Sequence, residues 1–488
     1  MSRRTPRDPI SRRNRRNLML LAALGAIVLM PPPFNFAVVG LLLGAGMLRI
    51  AGGGGRFQGL LGARARPALP SGAVELGVSA DGSAVTVSDE ELAAHGLILG
   101  ASGSGKSTTL VKLLSAQIER GRPVIAIDLK GSPELAQQLA QSAARAGRRL
   151  RVWSPDGPEL WNPLANGNAT ELKDKLIATE RFTEPHYQRA AERYVQNAIK
   201  VLQEAEPGRA PTIADVVEMM DPGRLAASLR KLPRARADEI QQYLDGLERD
   251  QLSAIRGLGT RLAIMTESHT GAFLRDGPTA VDLRSALDGG DVVLFSLNSS
   301  RYGGLAAQLG TLAIQDLVTA AGERYDRISA AASGDPRPPQ ATVAIDEFSV
   351  LPGPQVLQLI ARSRGAGIGV LLVTQEQADF DRNAPGLRDQ ILGNTALKLI
   401  HRQDVPASAR AAAELAGTVK GWEHTFRSGL FGGPVGDSRR VVDRFIVEPT
   451  TIQRFGTGQL LKIRKVPDAR ADVVRVTPPS RAREGPER

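Results

Sequence analysis

The chain has 488 residues, of which 62 are Lys or Arg and 51 are Asp or Glu, and its formal net charge is +11 at pH 7. Its length predicts two to four domains and a large core. Because the sequence contains no cysteine, it excludes disulfide scaffolds, thiol catalysis, zinc ribbons and iron–sulfur ligation. Aromatic residues make up only 4%, which argues against a large base-stacking platform, so a nucleic acid would be held mainly by its phosphates.

The N-terminal region predicts a membrane anchor. Residues 2–16 contain seven Arg and one Asp without an apolar face, so residues 1–16 are predicted to be a basic cytoplasmic tail. Two apolar runs of thirteen residues, 18–30 and 36–48, follow and are separated by a segment with three prolines. Each run would form about 20 Å of helix, which is short against a hydrocarbon core of roughly 30 Å.

We interpret residues 17–50 as a transmembrane helical hairpin, because Arg residues flank it on both sides and would keep both chain ends inside. The sequence thus predicts a two-helix protein of the inner cell membrane with cytoplasmic N- and C-termini. A secretory or twin-arginine signal and a single span over residues 18–48 are the alternatives, but both would place the rest of the chain outside.

An α/β sheet is predicted after a linker at residues 51–72 that is rich in Gly, Pro and Arg. Residues 73–87 alternate like a hairpin around Asp81 and Gly82, and Ser88 is expected to cap a short helix. Compact apolar runs then predict buried parallel strands. These runs lie at residues 96–99, 124–127, 292–297, 343–345 and 369–373.

A change of pattern predicts the domain division. Residues 168–284 show helical spacing and charged segments without a strand candidate, which predicts an all-α insertion. Residues 73–167 and 285–466 would form one discontinuous α/β motor domain around it. Residues 467–488 are rich in Pro, Arg and Asp and are predicted to be a disordered tail.

The strongest chemical signal is the G-x-x-x-x-G-K-[ST] string of residues 100–107, which lies between a predicted strand and a helix predicted over residues 108–120. In such a P-loop, backbone N–H groups and the helix N-terminus bind phosphate. Lys106 would reach the β- and γ-phosphates of ATP, and the Ser107 hydroxyl would bind Mg²⁺. The candidate nucleotide-binding residues are Gly100, Ser102, Gly103, Ser104, Gly105, Lys106, Ser107 and Thr108.

An acidic pair follows the predicted strand at residues 343–345. Asp346 would hold Mg²⁺, and Glu347 would orient and deprotonate the attacking water. Alone, such a pair is a weak signal, since acidic residues often cap helices after strands. Together with the P-loop, it predicts an ATPase whose cofactors are ATP and Mg²⁺.

Two further candidates flank the last predicted strand. Gln375 follows residues 369–373, so its amide would lie at the carboxyl edge of the sheet, where it could sense the γ-phosphate. Arg364 precedes the same strand and would lie at the opposite edge, where it could reach a neighbouring subunit's nucleotide as an arginine finger in trans. Such a finger would make a ring necessary for activity. A surface charge at Arg364 or its neighbour Arg362, and a structural strand-end role for Gln375, are the alternatives.

Other charged residues are less informative. Asp128 and Lys130 follow the predicted strand at 124–127, near the nucleotide, but charges at strand ends are more often solvated. His95, just before the P-loop strand, is more typical of a structural hydrogen-bonding residue than of a catalyst. A basic cluster in the insertion could contact DNA phosphates or an acidic partner, although such runs are usually solvated faces. It consists of Arg224, Arg230, Lys231, Arg234 and Arg236.

The motifs together resemble the type IV secretion and conjugation coupling proteins, the VirD/TraG group of the FtsK/HerA-like P-loop ATPase superfamily. The resemblance covers residues 71–465, and closing segments at 391–394, 412–418 and 455–459 agree with it. The strings that carry it are HGLILGASGSGKST, VIAIDLKG, DVVLFSL, VAIDEFSVLPG and RGAGIGVLLVTQ.

That resemblance implies a membrane-anchored homohexamer with a RecA-like motor domain, in which Lys106, Glu347, Arg364 and Gln375 are catalytic. The implied partners are DNA, expected to be single-stranded, a relaxase or secretion-channel proteins, and the membrane. In this interpretation the chain recruits DNA, a relaxase-bound strand or a protein and pumps it to a type IV secretion channel.

Two other functions stay open. A double-stranded DNA translocase of the FtsK/HerA type shares the motif spacings, but the helical insertion favours a coupling protein, and no helix-turn-helix pattern follows residue 400. A non-hydrolysing, nucleotide-gated membrane receptor would use the same fold as a scaffold, although the intact Lys106, Asp346 and Glu347 argue against it. The sequence does not identify the substrate.

Overall fold

The computed structural model describes residues 72–478, except for residues 279, 290, 333–335, 384 and 429–433. Its strands, in chain order, are β1 (Ala73–Ser79), β2 (Ala84–Ser88), β3 (Gly96–Leu99), β4 (Val124–Asp128), β5 (Leu150–Trp153), β6 (Val292–Ser296), β7 (Ala341–Asp346), β8 (Ile368–Thr374), β9 (Leu397–His401), β10 (Thr418–Ser428), β11 (Pro434–Phe445), β12 (Gln459–Arg464) and β13 (Arg470–Val476).

Eleven of these strands form one mixed sheet in the order β2-β1-β13-β12-β9-β3-β8-β7-β4-β6-β5. The seven strands from β9 to β5 are parallel. Beyond β9, the strands β12, β13, β1 and β2 continue the sheet with antiparallel pairing. Because parallel strands end at one edge, the polar residues that follow β3, β4, β7, β8 and β9 are brought together there.

The helices lie between these strands or on the faces of the sheet. In chain order they are α1 (Asp89–Ala93), α2 (Lys106–Glu119), α3 (Pro133–Arg145), α4 (Ala169–Ile177), α5 (Pro185–Ala205), α6 (Ile213–Met219), α7 (Pro222–Ser228), α8 (Arg234–Asp245), α9 (Arg249–Glu267), α10 (Leu283–Leu287), α11 (Ser299–Tyr302), α12 (Gly304–Ala330), α13 (Gly353–Ser363), α14 (Ala378–Asn383), α15 (Leu387–Asn394), α16 (Pro406–Ala416) and α17 (Pro449–Gln453). Short 3₁₀ turns occur at Leu229–Lys231, His269–Phe273 and Phe348–Val350.

The two faces of the sheet pack against different helices. Leu110, Leu114 and Leu139 of α2 and α3 belong to the core on one face. On the other face, α12 packs together with helices α4 to α9, so the helical segment shares a continuous core with the sheet. Between residues 168 and 284 the described residues form helices and no strand.

A buried ion pair joins the helical segment to helix α12. The Lys175 ammonium on α4 lies 2.8 Å from the Asp316 carboxylate on α12, and both side chains are buried. Trp161 donates its indole N–H to the second oxygen of Asp316 at 3.1 Å. Lys175 also donates to the backbone carbonyls of Pro163 and Asn166, at 2.9 and 2.8 Å. A buried charge needs this many partners to offset its desolvation.

The predicted strands and the cap of the first helix are confirmed. All five apolar runs form strands β3, β4, β6, β7 and β8, and the predicted hairpin forms β1 and β2. Ser88 caps α1 in a reciprocal arrangement with Glu91, whose carboxylate accepts from the Ser88 backbone N–H at 2.6 Å. The α/β sheet prediction therefore holds, and the structure extends it with antiparallel strands.

The prediction of a disordered tail at residues 467–488 is wrong for Arg470–Val476. These residues form β13, which lies between β1 and β12 in the sheet. Val474 and Val476 are buried and Arg475 between them is exposed, so this end of the strand alternates as a half-buried strand should. Its charged residues made this alternation look like a solvated tail.

The prediction of an inner-membrane protein with two spanning helices is contradicted. Among the described residues, no helix combines the length and the apolar character needed to cross a bilayer. The longest, α12, has 27 residues but carries Glu323, Arg324 and Arg327 among its apolar side chains. The segment for which the hairpin was predicted, residues 17–50, lies outside the described residues.

Candidate nucleotide site

The P-loop leaves the central strand β3 and enters α2 at Lys106. Gly103 and Gly105 have φ angles of +70° and +104°, a conformation that glycine adopts without steric cost. A Cβ atom on Gly105 would also lie only 2.9 Å from the backbone nitrogen of Gly458. The sequence therefore needs glycine at this position both for the turn and for the close approach of a neighbouring segment.

Lys106 is 6% exposed and lies under the loop. Its ammonium donates to the carbonyl of Gly100 and, at 3.1 Å, to that of Ala101. Burial lowers the pKa of Lys106, and the nearby charge of Lys130 lowers it further. The carboxylates of Glu347 and Asp346 act in the opposite direction. Lys106 thus lies within the electrostatic reach of the acidic pair.

Asp346 ends β7 and is 4% exposed. One of its oxygens, Oδ1, is buried and accepts no hydrogen bond from any described residue. Burial raises the pKa of Asp346 to about 6, with further raising by Asp128 and Glu347, while the charge of Lys130 lowers it. An unpaired buried carboxylate oxygen has an energetic need for a cation.

The residues present fit a Mg²⁺ ion held together with a nucleotide. Ser107 is exposed and lines a cleft of about 400 Å³ that Asp346, Lys130 and Thr108 also line. Among the described residues there is no group of three or more His, Asp or Glu placed to hold a metal. Proteins commonly bind Mg²⁺ through one or two groups, with water and substrate phosphates as the other ligands.

Glu347 is held at both carboxylate oxygens. Gln375, directly after β8, donates its amide to Oε1 at 3.1 Å. The Lys130 ammonium forms an ion pair with Oε2 at 3.0 Å. Glu347 itself adopts a left-handed backbone conformation with φ of +58°, which is uncommon for a residue other than glycine and is found at strained functional positions. The structure thus brings Glu347 and Gln375, which were placed at the ends of two strands from the sequence, into direct contact.

Lys130 and Asp128 belong to this site, although solvated strand ends were the favoured interpretation of the sequence. Asp128 is fully buried beside Asp346 on the neighbouring strand and accepts from the backbone N–H groups of Lys130 and Ser132, at 2.9 and 2.6 Å. Burial by itself would lower the pKa of Lys130. The negative charges of Asp346 and Glu347 outweigh this effect, so the pKa of Lys130 is raised. Asp128 and Lys130 lie at the end of β4, and β4 pairs with β7, which carries Asp346. Their position at the end of this strand was the signal in the sequence.

Arg364 lies at the other edge of the sheet, between α13 and the start of β8. Its side chain is exposed and makes no hydrogen bond or ion pair with any described residue. Its charge contributes to lowering the pKa of His95, which places it near that residue at the amino edge. The structure therefore does not bring Arg364 to the P-loop of its own chain.

His95 and the basic cluster make contacts typical of structural and of solvated surface residues, respectively. The His95 ring accepts from the backbone N–H of Val370 at 3.1 Å, and burial lowers its pKa to about 4, which agrees with the structural interpretation. Four of the five cluster residues form surface ion pairs with nearby acids, as solvated faces do. These pairs are Arg224–Glu218, Lys231–Glu206, Arg234–Asp238 and Arg236–Glu239.

The back of the P-loop is bonded to two later segments, which sequence reasoning missed. The backbone N–H of Gly458 donates to the Ser104 carbonyl at 2.9 Å, and Thr457 donates its hydroxyl to the Gly103 carbonyl at 3.2 Å. On the β9 side, the N–H of Ala101 donates to the carbonyl of Arg402 at 2.8 Å. Residues 402–458 therefore leave and rejoin the sheet beside the P-loop.

His401 completes this support. Its Nδ1 lies 3.1 Å from the Ser104 carbonyl, and its Nε2 lies 3.1 Å from the hydroxyl of Thr109. Since a carbonyl only accepts, Nδ1 carries the proton and Nε2 accepts from Thr109. Burial lowers the pKa of His401 to about 4. The ring is therefore neutral at physiological pH and clamps the loop to the helix that follows it.

Two family models match parts of the chain. Residues 60–137, which include the P-loop, match the FtsK/SpoIIIE family. Residues 340–456, which include the acidic pair, match the TraM recognition site of TraD and TraG. These two segments are similar to the FtsK/SpoIIIE family and to TraD and TraG, which confirms the resemblance read from the motifs. A comparison with the curated proteins gives no match.

Solved structures of low sequence identity share the fold. The unbound bacterial conjugative coupling protein TrwBdeltaN70 has 14% identity and a TM-score of 0.60, covering 84% of this chain and 90% of its own. TrwB in complex with ADP and Mg²⁺ has 14% identity and a TM-score of 0.58, with the same coverage. VirB4 of Thermoanaerobacter pseudethanolicus has 16% identity and a TM-score of 0.53, covering 84% of this chain and 98% of its own.

Proposed function

We propose that the chain is a coupling ATPase that hydrolyses ATP and moves DNA, alone or bound to a protein, toward a type IV secretion channel. One observation carries the proposal most directly. Lys106, the unpaired oxygen of Asp346 and the Glu347–Gln375 pair share one edge of the parallel sheet. This arrangement supplies phosphate binding, metal binding and water activation in one place.

Each residue has a defined task in this mechanism. Lys106 and the P-loop N–H groups bind the β- and γ-phosphates, and Ser107 and Asp346 would hold Mg²⁺. The ion, when bound, neutralises charge on the phosphate oxygens. Glu347 accepts the proton of the attacking water. Lys130 and Gln375 hold the two oxygens of Glu347, so a γ-phosphate that draws Lys130 toward itself would release the base.

The position of Arg364 supports a ring. An exposed, unpaired guanidinium at the amino edge is available to the nucleotide of an adjacent subunit but not to its own. In trans it would stabilise charge on the transferred phosphoryl group. We propose a homohexamer on this basis, with hydrolysis in one subunit changing the contact to the next.

The partners that we propose are those named for the similar proteins. TrwB is a conjugative coupling protein, and one matched family model describes a recognition site for TraM. We propose DNA, a relaxase or components of a secretion channel as the partners of this chain. DNA would be held mainly through phosphates, in keeping with the net charge of +11.

The first experiment measures steady-state ATP hydrolysis by the full-length chain with no DNA, with single-stranded DNA and with duplex DNA. Glu347→Gln removes the base and should lower turnover about 10²- to 10⁴-fold while the chain still binds nucleotide. Glu90→Gln, an exposed acid on α1, is the matched control and should retain the wild-type rate. Stimulation by single strands supports the proposal. A preference for long duplex would favour a double-stranded DNA translocase, and a wild-type rate equal to that of Glu347→Gln would refute hydrolysis.

The role of Arg364 is tested by mixing inactive variants. Arg364→Ala should lower turnover about 10³-fold or more, and Lys106→Ala should abolish it. If the finger acts in trans, mixed assemblies regain activity, because some interfaces combine an intact Lys106 with an intact Arg364. Arg362→Ala, exposed and without a described partner at the end of the same helix, is the matched control. Mixtures that stay as inactive as the separate variants would exclude this role.

A further inference from the structure

Strands β10 and β11 form a ribbon of their own outside the large sheet. The eleven residues of β10 span about 36 Å at 3.3 Å per residue. The ribbon leaves the end of α16 at Gly417 and returns with Ile446, whose backbone N–H donates to the Gly417 carbonyl at 3.0 Å. Isolated two-stranded ribbons are only marginally stable in water, so a ribbon of this length is suited to a partner that lies along it.

The ribbon exposes the tryptophan that a binding surface would use. Trp422 is 61% exposed and pairs across the strands with Val441, which is 47% exposed. The sequence has three tryptophans, and the other two, Trp153 and Trp161, are completely buried in the core. An exposed indole on a strand outside the large sheet offers a flat apolar surface next to solvent.

Two basic side chains flank this indole. Since opposite residues of an antiparallel pair share a face, Lys420 and Arg439 lie on the face of Trp422 on either side of it, and Asp443 lies opposite Lys420 on that face. The described side chains of the ribbon include four exposed cations and two acids. The cations are Lys420, Arg439, Arg440 and Arg444, and the acids are Glu423 and Asp443. Arg440, Arg444 and Glu423 lie on the opposite face of the ribbon, so the described charges on the face of Trp422 are Lys420, Arg439 and Asp443. This face therefore combines a stacking group with an excess of positive charge.

We propose that the β10–β11 ribbon binds single-stranded nucleic acid, with a base stacked on Trp422 and phosphates bound by the flanking Lys and Arg residues. Stacking needs an exposed base face, which a single strand offers and a closed duplex does not. The inference rests on the proposed function only in taking DNA as the substrate.

The ribbon is connected to the nucleotide site through its own segment. It lies within residues 402–458, both ends of which bond the P-loop, at Ala101 and at Ser104. The ribbon is therefore part of a segment whose first and last residues are hydrogen-bonded to the P-loop. This connection gives a route by which substrate binding and nucleotide binding can influence each other.

Intrinsic fluorescence tests the proposal without nucleotide. The full-length chain is titrated with an oligothymidylate of about 16 nucleotides, a length that covers one binding segment. Because the other tryptophans are buried, stacking on Trp422 should quench the solvent-exposed part of the emission, and Trp422→Ala should remove that quenching. In a parallel anisotropy titration with labelled oligonucleotide, Trp422→Ala should weaken binding about 5- to 150-fold.

Two further variants keep the test decisive. Lys420→Glu should weaken binding and reduce its dependence on salt concentration, since it removes a phosphate contact. Val419→Ala lies on the opposite face of the ribbon and should bind like the wild type. The proposal is overturned if the oligonucleotide does not quench the emission, or if Trp422→Ala and the wild type bind it with equal affinity. Either result is expected for a ribbon that binds a protein instead. These titrations need no ATP hydrolysis. DNA binding by the ribbon can therefore be confirmed even if the ATPase assay refutes hydrolysis, and hydrolysis can be confirmed even if the ribbon does not bind DNA.

Discussion

His401 makes the stability of the nucleotide site dependent on pH. The ring lies under the P-loop, where Nδ1 donates to the Ser104 carbonyl and Nε2 accepts from Thr109. Burial lowers its pKa from 6.5 to about 4. The folded chain therefore binds the imidazole proton more weakly than the unfolded chain, in which the pKa is ordinary.

The sign and the size follow from linkage. Stability from the neutral ring is fully present above pH 6.5 and is lost as the pH falls from 6.5 toward 4. One pKa unit corresponds to 1.36 kcal/mol, so the loss is about 2 kcal/mol at pH 5 and about 3 kcal/mol below pH 4. His401→Asn removes the titrating group and keeps an N–H donor near the Ser104 carbonyl.

Equilibrium urea unfolding of the full-length chain, followed by circular dichroism near pH 7.5 and near pH 5, measures this loss. We expect the wild type to lose about 2 kcal/mol more between the two conditions than His401→Asn does. His186→Asn, an exposed histidine of α5, is the control and should behave like the wild type. Equal losses in the wild type and His401→Asn would refute the reasoning.

Three further predictions concern other sites. Lys130→Met should raise the pKa of Asp346 further, because the charge of Lys130 lowers it in the wild type. The affinity of this variant for a fluorescent ATP analogue with Mg²⁺ should therefore fall up to about tenfold more between pH 8 and pH 6 than the affinity of the wild type does. An equal fall in affinity for the two proteins would contradict this. Asp316→Ala should cost about 3–5 kcal/mol in urea unfolding, because it leaves the Lys175 ammonium buried without its carboxylate. Adding Lys175→Met should recover much of that loss, and a larger loss in the double variant would exclude this explanation. Gly105→Ala should lower nucleotide affinity at least tenfold in the same fluorescence assay, since φ is +104° and its Cβ meets a backbone nitrogen; wild-type affinity would show that the loop relaxes.

The sequence predicted those parts of the fold whose signal is contiguous. The strands that carry the P-loop and the acidic pair are short, continuous apolar runs, since both faces of a parallel sheet are covered. Their functional residues follow directly at the strand ends, so Lys106, Asp346, Glu347 and Gln375 could be placed at one edge without knowing the packing.

The missed parts depend on contacts between distant residues. Lys398 and Lys462 lie on buried strands, and Lys462 is paired with Glu91 at 2.7 Å and donates to the carbonyl of Thr86. The apolar runs that predict strands do not include β9 or β12, where these lysines interrupt the apolar residues. Likewise, nothing near Lys130 in the sequence indicates that Glu347 comes to within 3.0 Å of it. The membrane prediction relied on residues 17–50 alone, without a packed partner to test it.

The strand order has a consequence for biosynthesis. The first strand, β1, lies against the last, β13, and the P-loop strand β3 lies between β8 and β9, which are translated long after it. A nascent chain that has just completed its P-loop therefore lacks both neighbours of that strand, and its open edges must be shielded until they arrive. Since β8, β9 and β13 all belong to the last third of the chain, the ribosome must complete most of the chain before the sheet can close around the nucleotide site. Such long-range pairings also form slowly.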